Sequence, residues 1–180
     1  MGPELLLLLF VPAIFGKKKS SARRGWWDDC AFEDYSPKVA ERIKKYAGYM
    51  YDAAEEWSID PDILAGLVTT ESNWRPTAHS HVGAMGMTQV MPSTAKKRSE
   101  QTGIPNNPWD PKTNLRLGAA GIATYVDRWG SYDHALASYF AGSGNVAIYR
   151  ETDQWPEHVI RYVNAVKRNA RKFRDQRLKC

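Results

Sequence analysis

Hydrophobic positions recur along this chain at three- and four-residue intervals, the spacing of one helix face, and the intervals are punctuated by repeated start signals. Ser36-Pro37 joins a cap residue to a first-turn proline, and Val39, Ile43, Tyr46, Met50, Ala53 and Trp57 follow as one apolar stripe. Asp60-Pro61 repeats the signal and opens a helix to about Ser72, with Ile63, Leu64, Leu67 and Val68 turned inward. Pro92 begins a short polar helix that Gly103 can close, and Asp110-Pro111 caps one carrying Leu115, Leu117, Ile122 and Val126, ending at Gly130. A compact helix from Asp133 to Ala141 is closed by Gly142, and Pro156 starts the last, with Val159, Tyr162, Val163, Val166, Ala170 and Phe173 on one side and Lys and Arg on the other. Gly83 to Met91 has no helical start signal and reads as a loop or short irregular strands. With no repeat and no sustained strand alternation, the pattern predicts a mainly α single domain over residues 36–176, followed by a basic tail at 177–180.

Residues 1–35 break the pattern. Leu5 to Phe15 is almost unbroken apolar sequence, interrupted at Pro12 and followed by Lys17-Lys18-Lys19 and Arg23-Arg24. As a helix it would span about 16 Å, half a bilayer core. A secretory signal carries its positive charges before the apolar core, whereas here Glu4 precedes and the cations follow. The arrangement reads as a membrane-touching anchor, with a sticky tail as the plainer alternative. Trp26-Trp27 and Asp28-Asp29 mark the junction with the folded part.

Composition narrows the chemistry. Hydrophobic residues make up 43% of the chain and charged residues 25%, too polar for a polytopic membrane protein and too apolar for a disordered one. Two cysteines, Cys30 and Cys180, exclude a disulfide-dense scaffold or a four-cysteine zinc site, and read as free or disordered. Four histidines without His-Glu-x-x-His spacing argue against a catalytic metal. Seven tryptophans and a net charge of +5 leave open a sugar-binding enzyme beside a polyanionic neighbour: anionic lipid, cell wall or, least favoured for want of interleaved stacking residues, nucleic acid.

The candidate chemistry gathers between Ile59 and Ala95. Glu71 falls near the carbonyl end of an apolar helix, where dipole and partial burial against Val68 and Trp74 both disfavour its charged form and raise its pKa toward that of a general acid; a solvated glutamate at a helix end is the alternative. From Asn73 through Ser99 there is no other carboxylate, while His79, Ser80, His81, Thr88 and Gln89 cluster there. A conventional glycosidase uses two carboxylates. A lone one suits a reaction in which the substrate supplies the missing group, unless Asp110, Asp127, Asp133 or Asp153 folds into reach.

Four ordered blocks resemble one family. Glu71-Ser72-Asn73 with Pro76, Ala78 and Ser80, then Gly83-Ala84-Met85-Gly86-Met87-Thr88-Gln89-Val90-Met91-Pro92, is similar to the core of the soluble lytic transglycosylases of the goose-lysozyme-like superfamily. Asn114 to Tyr125, Ala135 to Gly142, and Arg161-Tyr162-Val163 resemble its later motifs. The resemblance implies a lysozyme-like fold and cleavage of the peptidoglycan β-1,4 bond between N-acetylmuramic acid and N-acetylglucosamine, with a 1,6-anhydro product and neither cofactor nor metal. It implies Glu71 as acid and base, with Ser72, Ser80, Met87, Gln89, Tyr139 and Tyr162 binding substrate: Ser80 near the acetamido pocket, Tyr162 facing the carboxylate. Three departures stand out: Thr88 where methionine is usual, Phe140 where asparagine is usual, and His158 where a glutamate is usual, with Glu157 one position off.

Among the aromatics, Trp74, Trp109, Trp129 and Trp155 are either sugar platforms or core, and core is the better reading for Trp129. His79 and His81 read as loop hydrogen-bonders. A hydrolytic goose-type lysozyme and a non-catalytic wall-binding or virion protein are the competing functions. The missing export signal suggests delivery with a phage particle, for local wall opening as a genome is delivered, the chain then acting on the periplasmic wall.

Overall fold

The computed structural model describes residues 25–180, and every regular element among them is a helix. The expected anchor at Leu5–Phe15 lies outside the described residues, and none of the described helices is long and apolar enough to cross a membrane. In chain order the helices are α1 (Trp26–Asp29), α2 (Pro37–Glu56), α3 (Pro61–Ser72), α4 (Pro92–Thr102), α5 (Pro111–Trp129), α6 (Tyr132–Ala141), α7 (Ser143–Thr152) and α8 (Glu157–Lys179).

The start signals act as local chemistry predicts. Asp60 accepts from the Asp62 N–H at the head of α3, and Asp110 from the Thr113 N–H at the head of α5, each beside a proline that has no N–H to leave unpaired. The stripe of α2 buries Ile43, Tyr46, Ala47, Met50, Ala53 and Ala54. α3 is the central element: Leu64, Ala65, Leu67 and Val68 are fully buried, and α8 runs antiparallel along it. The two backbones approach at Gly66, where a Cβ would meet the Val166 carbonyl oxygen at 2.5 Å and the Ala170 nitrogen at 2.7 Å, so only glycine permits the crossing. Thr70 accepts from Asn169 (3.0 Å), and Arg177 pairs with buried Asp62 (2.9 Å), at successive points along this interface. α5 packs on α2 and α6, and α6 reaches α8. The segment 83–91 forms turns with isolated bridges His79–Met85 and Met85–Val90, the irregular region expected. α7 has one buried residue, Val146, so no apolar stripe announces it.

The folded body begins earlier than the expected boundary at 36 and ends later than 176. Trp27, Cys30 and Phe32 are buried, and Trp26 packs on Tyr51 and Phe173. α8 continues helically through Lys179. The cysteines, expected free, are joined: Cys30 and Cys180 form a disulfide with Cα atoms 5.4 Å apart. Their distance of 150 residues in sequence concealed the pairing, which α8 creates by returning to the segment after α1.

Candidate active site

Glu71 is the penultimate residue of α3. The helix stops because Asn73 takes the left-handed conformation (φ 49°), followed by Trp74 at φ 63°. Trp74 locks this turn: it is fully buried, donates from its indole nitrogen to Thr69 Oγ1 (2.9 Å) and stacks on Phe173. It is a core residue and offers no face to a sugar. The exposed carbonyls of the helix end are satisfied in turn, since Arg75 Nε donates to the Ser72 carbonyl (3.1 Å) and Arg42 to that of Asn73 (3.3 Å).

The Glu71 carboxylate accepts a hydrogen bond from the hydroxyl of Tyr162, one turn into α8. Burial pushes the Glu71 carboxyl up from 4.5 to about 7, and the Tyr162 hydrogen bond pulls against that rise. Burial and the adjacent carboxylate drive the Tyr162 phenol well above its ordinary range, so it remains a donor at any physiological pH. Among the described residues, no second carboxylate contributes to the Glu71 shift.

The loop below is tied to this pair by buried polar contacts. The Ser72 hydroxyl donates to the Met87 carbonyl (2.8 Å), linking the loop to the residue after Glu71. Ser72 is 2% exposed and Met87 fully buried, so both take part in holding the loop. Gln89, at φ 48°, donates from its amide to the carbonyls of Ala78 (3.1 Å) and Gly86 (2.9 Å), bracing the loop from within. Ser80 is half-buried; its Oγ accepts from the Ala84 N–H (2.9 Å), leaving its own proton to donate. Tyr139 donates to the Thr88 carbonyl (2.8 Å), with Arg98 over its ring.

Asn114 is the positioning residue that the sequence did not single out. Almost wholly buried on α5, it accepts from the Thr88 N–H (2.8 Å) and hydroxyl (2.9 Å) and donates to the carbonyls of Met85 (2.9 Å) and Pro108 (2.8 Å). A polar residue one turn into an otherwise apolar helix face was the available signal. Thr88 thereby replaces an apolar contact with polar ones, and it fits because Gly118 opposes it: a Cβ there would lie 2.5 Å from Thr88 Cγ2.

The remaining aromatics separate by burial. Trp129 is half-buried, donates to Ser138 Oγ (2.8 Å) and lies under Arg128 and Arg150. Trp155 stacks on His134. Trp109 is 46% exposed and meets His79 edge-on, while His81 is exposed on the loop. Phe140 is 47% exposed and stacks flat on Tyr162, with ring centroids 4.4 Å apart.

Known proteins share this arrangement of helices. Residues 48–160 match the transglycosylase SLT domain. A transglycosylase of Enterobacteria phage PRD1 is 37% identical over 112 residues, covering 62% of this chain and 40% of that protein. A membrane-bound lytic murein transglycosylase C of Haemophilus influenzae is 27% identical over 152 residues, covering 71% of this chain and 43% of that protein. Among solved structures, an inactive Glu-to-Gln mutant of lytic transglycosylase Slt from Pseudomonas aeruginosa superposes with a TM-score of 0.64 at 26% identity, over 71% of this chain and 24% of that one. The 70-kDa soluble lytic transglycosylase of Escherichia coli gives 0.67 at 21% identity, over 83% of this chain and 28% of that one, a likeness of fold. The chain thus spans about 40% of the length of the curated relatives it matches. The mainly α, lysozyme-like architecture expected from the sequence is the one found, and the chain belongs to the transglycosylase SLT domain family.

Proposed function

We propose that this chain is a peptidoglycan lytic transglycosylase that cleaves the β-1,4 bond after N-acetylmuramic acid and leaves a 1,6-anhydro end, with Glu71 as its acid and base. The observation that carries the reading is a lone, half-buried carboxyl poised at about 7 and held by a phenol that stays protonated. A group half-protonated near neutral pH can give a proton and take one back in a single turnover. Protonated Glu71 donates to the glycosidic oxygen as the bond to the anomeric carbon breaks. The carboxylate so formed is stabilised by the Tyr162 hydroxyl. It then removes the proton from the muramoyl 6-hydroxyl as that oxygen bonds to the anomeric carbon, so no water is consumed and Glu71 ends protonated. The absence of a partnering carboxylate among the described residues fits this economy better than a water-activating pair.

Ser80 supplies a free hydroxyl proton to substrate beside the loop, while Tyr139 and Gln89 hold the loop's shape. We further propose that the domain works outside the cytoplasm, on the periplasmic wall, in association with a phage particle. Support comes from the Cys30–Cys180 disulfide, a bond that persists in oxidising compartments, and from the 37% identity with the PRD1 transglycosylase. The apolar run from Leu5 to Phe15, with cations after it, would seat the protein on an anionic membrane of virion or host.

The test is mass spectrometry of purified sacculi digested with the wild-type chain and with Glu71→Gln. Anhydromuramoyl ends from the wild type and none from the variant are expected. Reducing ends would show hydrolysis by water instead, and undiminished cleavage by the variant would remove Glu71 from the chemistry. Recovery of the chain in purified particles supports the virion assignment; recovery only in membranes of uninfected bacteria ends it.

A further inference from the structure

Phe140 is a large apolar side chain left 47% exposed against the Tyr162 ring that binds Glu71, and the reaction proposed above does not use it. Tyr139 and Phe140 are neighbours on α6 and diverge by the helix rotation: Tyr139 turns inward to the Thr88 carbonyl, Phe140 outward. Phe140 lies at 16° to the Tyr162 ring with centroids 4.4 Å apart, and the Tyr162 hydroxyl is on Glu71. His158, one turn before Tyr162 on α8, meets the Phe140 ring edge-on at 6.0 Å. One face of the phenyl ring is therefore covered by a residue fixed to the carboxylate, His158 packs beside it, and 47% of the residue remains exposed.

Core packing does not require such a residue, because a half-exposed phenyl at the end of a short helix stabilises little by burial. Its geometry is what a carbohydrate site needs: a rigid aromatic plane held by a second ring, against which the C–H-bearing face of a pyranose stacks while the hydroxyls at its rim stay hydrogen-bonded. We propose that Phe140 is a substrate-binding residue whose exposed ring stacks on a pyranose ring of the glycan strand next to the bond that Glu71 protonates. It sets the register of the strand, so that the glycosidic oxygen stops over the carboxyl. This assignment rests on the glycan-cleaving reading of the site.

Binding is measured on the Glu71→Gln protein, which holds glycan without turnover, by calorimetric titration with N-acetylglucosamine tetramer and with soluble uncrosslinked glycan strands. Adding Phe140→Ala is expected to raise Kd for both about tenfold, and Phe140→Trp to restore it to within about twofold. In the otherwise wild-type enzyme, Phe140→Ala raises KM about as much while the pH at which kcat falls stays fixed. An unchanged Kd in Phe140→Ala, with normal helical circular dichroism, overturns the proposal. So does a shifted pH profile with KM unchanged, which would show Phe140 acting only through Tyr162. Those outcomes leave the enzymatic reading standing if the wild type still cleaves sacculi. A wild type that neither cleaves sacculi nor binds either glycan would sink both.

Discussion

Replacing Glu71 with glutamine probes the source of its acidity without any substrate. The carboxyl is raised from 4.5 to about 7 because burial disfavours its charge, so the folded chain holds a proton that the unfolded chain releases. Its favourable contribution is complete below about 4.5 and is lost as pH rises to about 7. Above that the fold carries a buried charge, worth up to about 3 kcal/mol at 1.36 kcal/mol per pH unit. Glutamine is neutral at every pH and its carbonyl can accept from Tyr162. The wild type should therefore match the variant near pH 4 and fall behind it progressively toward pH 8, by up to about 3 kcal/mol or roughly 6–12 °C in melting temperature. Paired thermal and urea melts across that range, read as the difference between the two proteins, isolate this group from every other titration. A difference that stays flat with pH would refute burial as the origin of the shift, and with it the claim that Glu71 stands half-protonated at neutrality.

Tyr162→Phe removes the hydrogen bond that pulls the carboxyl down, so the alkaline limb of activity should move up by about one pH unit while kcat falls about tenfold; pH–rate profiles on sacculi check both. Asn114→Ala leaves the Thr88 N–H and the carbonyls of Met85 and Pro108 without that partner, and should cost about 3 kcal/mol in urea unfolding, with faster amide exchange confined to residues 83–91. Gly66→Ala must push α8 from α3, costing about 1–3 kcal/mol. Its kcat/KM should drop by about tenfold or more, because the same displacement separates Tyr162 from Glu71; near-normal activity in that variant would contradict the crossing as the element that aligns them.

What the sequence could show divides along range. The ends of α3 were written locally, in Asp60-Pro61 and in the polar stretch after Ser72, so Glu71 could be placed near a helix terminus and its acidity argued from the apolar turns before it. Its partner could not be found that way. Tyr162 lies 91 positions downstream and reaches Glu71 only because Gly66 lets two backbones meet, which no periodicity records. Only the family resemblance set Tyr162 opposite Glu71. Resemblance also named Ser72 and Met87 as substrate contacts, and the fold adds a hydrogen bond between them that fastens the loop to the end of α3. Asn114 passed as one more helix residue because its value comes chiefly from groups of Thr88 and Met85, 26 and 29 positions upstream. The cysteines failed for the same reason, since nothing in either neighbourhood foretells that α8 returns to the start of the body.

That return has a mechanical consequence. Whatever holds the chain by the residues preceding Cys30 pulls not only on the backbone leading into α2, the first long helix, but also, through a covalent link, on the far end of α8. The part that enters at Cys180 runs along α8 and is shared with α3 along their seam. A domain threaded through a stiff polymer mesh on a tether would thus carry part of its load in shear across the α3–α8 seam, which opposes peeling from one end.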